Sequence, residues 1–288
     1  MLTIFSNPKP FTGLFKIIQE NAIRSWLLIR PKPEIILLGS EKGVGDICRR
    51  LKLVHIRDAK TNRYHTPIVS DIFKKAQTKA SYRIMMYVNS DVIVVNDIIK
   101  PIKSISFSFD SFLASGRRFE LLIDKPIDFK DKDWREKTIK TVRSKGYLKG
   151  PGWMDYFVFT KGLFGSIPPF ALGRTFWDKY LIWKATALKK PVIDMTGSFF
   201  AVHQTHLKNK DIKHVWEGIE ANNNVLLAGG WSHGLSLKQA RYRLDKKRLI
   251  KKNPDPVELI GNKVKAIFDK TPFVWPLFFR LRRLKNGL

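Results

Sequence analysis

Four short apolar runs open the chain: LTIF (2–5), EIILLG (34–39), KLVHIRD (52–58) and YRIMMYV (82–88). Each has strand length. Between them apolar residues recur at intervals of three and four. Leu14, Ile17, Ile18, Ala22 and Trp26 share one helical face, and Ile68, Ile72, Phe73 and Ala76 repeat the pattern ahead of the fourth run. Continuous apolar strands joined by helices predict an α/β fold whose mostly parallel sheet is covered on both faces.

After residue 104 the alternation stops. SISFSFDSFLASGRRFELLI reads as one or two strands, DWREKTIKTVRSKG as a short amphipathic helix, and MDYFVFTKGLF as a strand ending at Gly162. A loop rich in Pro and Gly then leads into a helix on which Trp177, Leu181 and Ala185 share a face. PVIDM and SFFAVHQTH read as two further strands, and the chain beyond about 240 as helical and basic. The organisation expected is a domain over 1–240 and a basic helical extension over 241–288.

One interruption stands out. In YVNSDVIVVNDI (87–98), the polar triplet Asn89-Ser90-Asp91 separates two apolar runs. Asn, Ser and Asp commonly end strands by bonding to nearby backbone, so a turn accounts for the triplet in isolation. In open parallel sheets, however, ligands bind outside the carboxyl ends of the strands. Asn89-Ser90-Asp91 lies at that end of the fourth strand, and Gly39-Ser40-Glu41 at that end of the second. GSEKGVG lacks the spacing of both the dinucleotide fingerprint and the phosphate loop, which argues against a dehydrogenase or a P-loop kinase.

Charge adds a partner class. The 53 Lys and Arg against 25 Asp and Glu leave a formal charge of +28 over 288 residues, a field that attracts polyanions. Nucleic acid, anionic lipid and phosphorylated substrates all qualify. The single Cys48 offers neither an internal disulfide nor a zinc cluster, which fits a reducing, cytoplasmic compartment. No signal-peptide pattern or apolar run of membrane-spanning length is found.

The remaining candidates are Asp155, Asp178 and His203 with His206. Two oxygen ligands after a parallel strand suit Mg²⁺ or Mn²⁺ beside diphosphate oxygens. Asp178 follows Gly173 and Arg174 at the start of a helix, whose N-terminus holds a carboxylate, and near a bound sugar a carboxylate can serve as general base toward an acceptor hydroxyl. Each also has a structural reading, as a turn, a helix cap or a core histidine.

The order of these elements resembles the GT-A glycosyltransferases. NSD stands where that family carries its DxD-type metal motif, KGPGWMDYF at the glycine-containing loop, RTFWDKYL at the acidic helix and AVHQTH at the late histidine. DYFVFTKGLFGSIPPFALGRTFWDKYLIWKA followed by VIDMTGSFFAVHQ is similar to a bacterial and plant group within that nucleotide-diphospho-sugar transferase superfamily. So are LTIFSNPKPFTG, NAIRSW and EIILLGSEKG near the start.

The resemblance implies a Rossmann-like fold and an inverting transfer of sugar from a nucleotide-diphosphate sugar to an acceptor hydroxyl. It further implies Asp91, Asn89 and His203 as metal contacts, Asp178 as the base, and Glu41, Arg117, Arg118, Gly152 and Asp155 at the donor. Asn89 departs from the family's leading Asp, and Trp177-Asp178 replaces a pair of acids. Two other classes fit the sequence: a polyanion-binding protein on a non-catalytic fold of this type, and a nucleotidyltransferase using the same metal. The tail, with Phe273, Val274, Trp275, Leu277, Phe278 and Phe279 before Arg280, Arg282, Arg283 and Lys285, reads equally as a membrane-interface segment or a docked terminal helix.

Overall fold

The computed structural model describes residues 1–206, 213–253 and 255–271. The opening segment winds as its periodicity predicts: β1 (Leu2–Ser6), α1 (Gly13–Leu27), β2 (Glu34–Leu38), α2 (Val44–Leu51), β3 (Val54–Ile56), α3 (Val69–Lys79) and β4 (Ile84–Val88). β1 pairs in parallel with β2 and with β4, and β2 with β3. Because successive side chains point to opposite faces, each strand serves two cores. Leu2, Ile4, Ile35, Leu37, Met86 and Val88 pack with α1 and α2, whereas Phe5, Ile36, Leu38, Met85 and Tyr87 pack with α3.

The middle of the chain holds β5 (Val92–Val94), α4 (Ile99–Ser108), β6 (Leu113–Ser115), β7 (Phe119–Leu121), α5 (Trp134–Lys145), β8 (Tyr147–Leu148), β9 (Tyr156–Thr160), α6 (Trp177–Ala187), β10 (Val192–Asp194) and β11 (Ala201–Gln204). α7 (Lys213–Trp216), α8 (Ile219–Ala228), two 3-10 turns (Trp231–His233 and Leu237–Gln239), β12 (Tyr242–Asp245), β13 (Arg248–Lys251) and α9 (Pro256–Asp269) follow. The main sheet has nine strands in the order β13-β12-β10-β6-β9-β4-β1-β2-β3. β9 runs antiparallel between β4 and β6, and β10 is parallel to both β6 and β12. A smaller sheet, β5-β11-β7-β8, starts directly after Asp91, and α5 helps cover it through Trp134 and Val142. The expected α/β architecture, with helices on both faces of a largely parallel sheet, is therefore present.

Two expectations fail locally. Residues 104–108, expected as strand, close helix α4, because Ile98, Ile102 and Ile105 bury at helical spacing while Phe107 is 96% exposed. The apparent Ser/Phe alternation thus has no buried face. Residues 242–251, expected as helix, form the antiparallel hairpin β12–β13, which joins the main sheet through β10. Leu244 is buried between exposed Arg243 and Asp245, a period of two rather than 3.6. The helical expectation holds over α9, where Asp255 caps the first turn by accepting from the Val257 N–H and Pro256 follows at the first helical position. Among the described residues no helix is long and apolar enough to cross a membrane. The aromatic and basic run from Phe273 to Lys285 lies outside the described residues.

Candidate active site

The Asn89-Ser90-Asp91 turn leaves the carboxyl end of β4 with two of its three side chains occupied. The Tyr87 hydroxyl donates to Asn89 Oδ1 at 2.9 Å, and Ser90 Oγ donates to Gln19 Oε1 at 2.8 Å. The Asn89 N–H donates to the Asp155 carbonyl at 2.9 Å, tying the turn to the start of β9. Asp91 is thereby set against β11. Its Oδ2 lies 3.5 Å from His203 Nε2 and 3.6 Å from His206 Nε2. Its Oδ1 is buried with no hydrogen-bond partner among the described residues. A buried carboxylate oxygen left without a donor is costly, and a cation is one way to satisfy it.

β7 supplies the next layer. In register with His203, Glu120 accepts from His203 Nδ1 at 2.9 Å and from Thr205 Oγ1 at 3.0 Å on one oxygen. Its other oxygen accepts from Arg118 Nε and Nη2 at 3.1 and 2.6 Å. Arg118 Nη1 then pairs with Asp155, and the guanidinium lies 5.1 Å over the Trp153 ring. The result is a buried row of alternating charge: Asp91, His203, Glu120, Arg118, Asp155. Burial alone would drive Asp91, His203, Glu120 and Arg118 toward their neutral forms, but the neighbours prevail. They hold the Asp91 carboxyl well below its usual range, Glu120 at about 2 and the His203 imidazole up at about 10.

Asp91, His203 and His206 form a set whose ligand atoms lie within 4.8 Å of one another. With Nδ1–H of His203 donating to Glu120, Nε2 is free to act as a ligand, the arrangement in which a carboxylate behind an imidazole fixes its tautomer. A divalent ion therefore fits these residues, and its binding would release the extra His203 proton. One carboxylate and two imidazoles suit a transition ion such as Mn²⁺ better than Mg²⁺, which prefers oxygen alone. Asn89, expected as a further ligand, has its Oδ1 engaged by Tyr87.

Asp178 is the second residue of α6 and is half-buried. Desolvation, followed by the negative charge of Asp155, raises its carboxyl above the ordinary value despite Lys179, whose N–H donates to its Oδ1 at 2.9 Å. Burial, and then the negative charges of Asp155, Asp91 and Asp178, push the Tyr87 hydroxyl upward. The turn into α6 is strained: Phe176, immediately before the helix, has φ 94°, a value bulky residues rarely adopt. Its ring packs edge-on against Trp231 at 5.4 Å, which holds it there.

The remaining expected residues are placed as follows. Glu41 is exposed at the carboxyl end of β2, and no hydrogen bond or ion pair links its side chain to the row. At that same end Gly39 has φ +109°, and a Cβ there would come within 2.7 Å of Asn7 Nδ2. Arg117 donates to the carbonyls of Lys149 and Leu148. Arg118 and Asp155, expected at the donor, bind each other. Gly152 has room for a side chain, since a Cβ would only touch Lys179 Cε at 3.7 Å. Sequence reasoning missed Glu120 and gave His206 no ligand role. The signal for Glu120 was a lone acid inside an apolar strand, FELL.

No family model matches the chain, and no curated protein matches it. Among solved structures, it is similar to TarS 1–349 of S. aureus in complex with UDP-GlcNAc, at 10% identity and a TM-score of 0.48, covering 79% of this chain and 64% of that one. It is also similar to glucosyl-3-phosphoglycerate synthase of M. tuberculosis, at 11% identity and a TM-score of 0.47, covering 79% and 78%. A third is the mannosyltransferase PcManGT of Pyrobaculum calidifontis in complex with GDP-Man and Mn²⁺, at 14% identity and a TM-score of 0.43, covering 75% and 59%. The chain thus spans less than two thirds of the TarS fragment and of PcManGT.

Proposed function

We propose that the chain is a GT-A-type glycosyltransferase that moves a sugar from a nucleotide-diphosphate sugar to an acceptor hydroxyl with inversion. The observation that carries this reading is Asp91 Oδ1, buried without a hydrogen-bond partner among the described residues, beside two imidazoles at the carboxyl end of β4; a second carboxylate, Asp178, raised by burial, opens α6. The order of motifs in the sequence supports the same reading.

Asp91, His203 and His206 would hold a divalent ion, Mn²⁺ before Mg²⁺. When bound, such an ion supplies positive charge beside the departing diphosphate. Glu120 orients His203, and Arg118 in turn fixes Glu120. Asp178 takes the proton of the acceptor hydroxyl as that oxygen bonds to the anomeric carbon. The bond from that carbon to the phosphate oxygen breaks, and the nucleoside diphosphate leaves with the electron pair. A carboxylate raised above its ordinary pKa is a stronger base, which suits this task.

Calorimetry against a panel of sugar nucleotides, with and without Mn²⁺, tests the donor site. Metal-enhanced binding of at least one member is expected in the native chain and its loss in Asp91→Ala. Binding indifferent to both metal and substitution would overturn the assignment. Once an acceptor is in hand, Asp178→Asn should lower turnover by about a hundredfold to ten-thousandfold while donor affinity is kept. Release of nucleoside diphosphate, rather than pyrophosphate, separates this reaction from nucleotidyl transfer.

A further inference from the structure

α9 is mounted inside out. Glu258, Asn262, Lys265 and Asp269 recur at three- and four-residue spacing, and this polar stripe is the one turned toward the molecule. Glu258 lies 3.0 Å from Lys238 Nζ and accepts from Gln239 Nε2 at 2.9 Å. Asn262 Nδ2 donates to the Ser232 carbonyl at 3.4 Å. The Asp269 carboxylate accepts from the Trp231 and Ser232 N–H groups at 2.7 and 2.9 Å. Gly230 permits that approach, because a Cβ there would collide with the Asp269 carboxylate.

The opposite stripe consists of Val257, Ile260, Val264 and Ile267, which are 74, 64, 42 and 65% exposed. No residue of the helix is buried. A helix resting on a globular core turns its apolar stripe inward and its polar stripe to water. Here the order is reversed, so the outward face is matched to an apolar medium.

We infer that the outward face of α9 docks on an anionic lipid bilayer, with Val257, Ile260, Val264 and Ile267 at the acyl boundary and Lys263 and Lys270 at the headgroups. Both lysines are exposed and lie along one flank of the apolar stripe, where long cationic side chains reach headgroups while their stems stay apolar. The helix has 14 residues and so is about 21 Å long. It is shorter than a bilayer's apolar thickness, and its geometry is that of a segment lying on the surface.

Charge selects this occupant over a second copy of the chain. Two copies, each at +28, repel, whereas an anionic surface attracts either one. The sequence directly after α9 repeats the same chemistry, with apolar Phe273 to Phe279 followed by Arg280, Arg282, Arg283 and Lys285.

Flotation of the full chain with vesicles tests the inference. The native chain is expected to float with vesicles containing phosphatidylglycerol and to stay behind with phosphatidylcholine alone. The double substitution Ile260→Gln and Ile267→Gln should weaken vesicle binding at least about tenfold. Its melting temperature should be unchanged, because both side chains face away from the fold. Donor calorimetry on the same variant should match the native chain, so a failure of the donor site and a failure of docking are separately visible. Flotation undiminished in the variant would overturn the inference. So would a native dimer that the variant dissociates while neither form binds vesicles.

Discussion

Glu120 stands between two buried cations, and removing its charge leaves Arg118 with Asp155 alone and His203 with Asp91 alone. Glu120→Gln should therefore destabilise the chain by about 3–5 kcal/mol, read as a shift in urea midpoint. The pH dependence has a definite sign. The Glu120 carboxyl titrates at about 2 in the folded chain against 4.5 unfolded, so its contribution is whole above about 4.5 and is lost as pH falls toward 2. His203, raised from 6.5 to about 10, contributes fully below 6.5 and loses that contribution as pH rises through 10. In metal-free protein the stabilisation from this pair should be greatest between those limits, and Glu120→Gln should flatten the acid side of the profile. Cys48 offers a separate check. Burial pushes its thiol up to about 11, so alkylation at neutral pH should be slow in the folded chain and fast in denaturant. Asp91, Asp178 and His203 could be singled out in the sequence as candidates because each interrupts an apolar pattern or opens a helix. Glu120, and the pairing of Arg118 with it, were not, because a buried ion pair leaves no periodic trace: the meaning of Glu120 lies in a strand 83 residues away, at His203.

Among the elements, α3 ties the sheet to the site. Phe73 packs against Phe5, Tyr87, Phe159, Phe164 and Trp177, and Trp177 is the residue before Asp178. Phe73→Ala should cost about 3–5 kcal/mol in denaturant unfolding and loosen the floor beneath Asp178. Helices with a strong apolar stripe, such as α1 and α3, were readable from spacing alone. α4 was not, since Ser and Phe alternate over a turn whose buried residues are the isoleucines. Nor was β12, where charged residues of both signs flank a single inward leucine. In both segments the burial partner, rather than the local composition, decides the conformation.

The whole molecule carries a field that no single residue explains. Duplex nucleic acid should bind at low salt through that field, and its affinity should fall at least about a hundredfold between about 50 and 200 mM salt. Binding of a sugar nucleotide at Asp91 should change far less over the same range, since it depends on a few close contacts rather than on released counterions. A titration of both ligands across that range distinguishes a general attraction for polyanions from a donor site. The sign of the net charge was fully legible. Its arrangement around an inverted helix was not, because the spacing of α9 tells which residues share a stripe but not which stripe meets the protein.

The antiparallel strand β9 also sets the order in which the sheet can be completed. β1 to β4 draw on residues 2–88 alone, so this half can assemble early from contacts between neighbouring segments. The free edge of β4 must then wait for Tyr156–Thr160, and β6, whose other neighbour β10 comes later still, has nothing to pair with before β9 arrives. A nascent chain is accordingly most vulnerable to edge-to-edge association after β4 has formed and before β9 emerges.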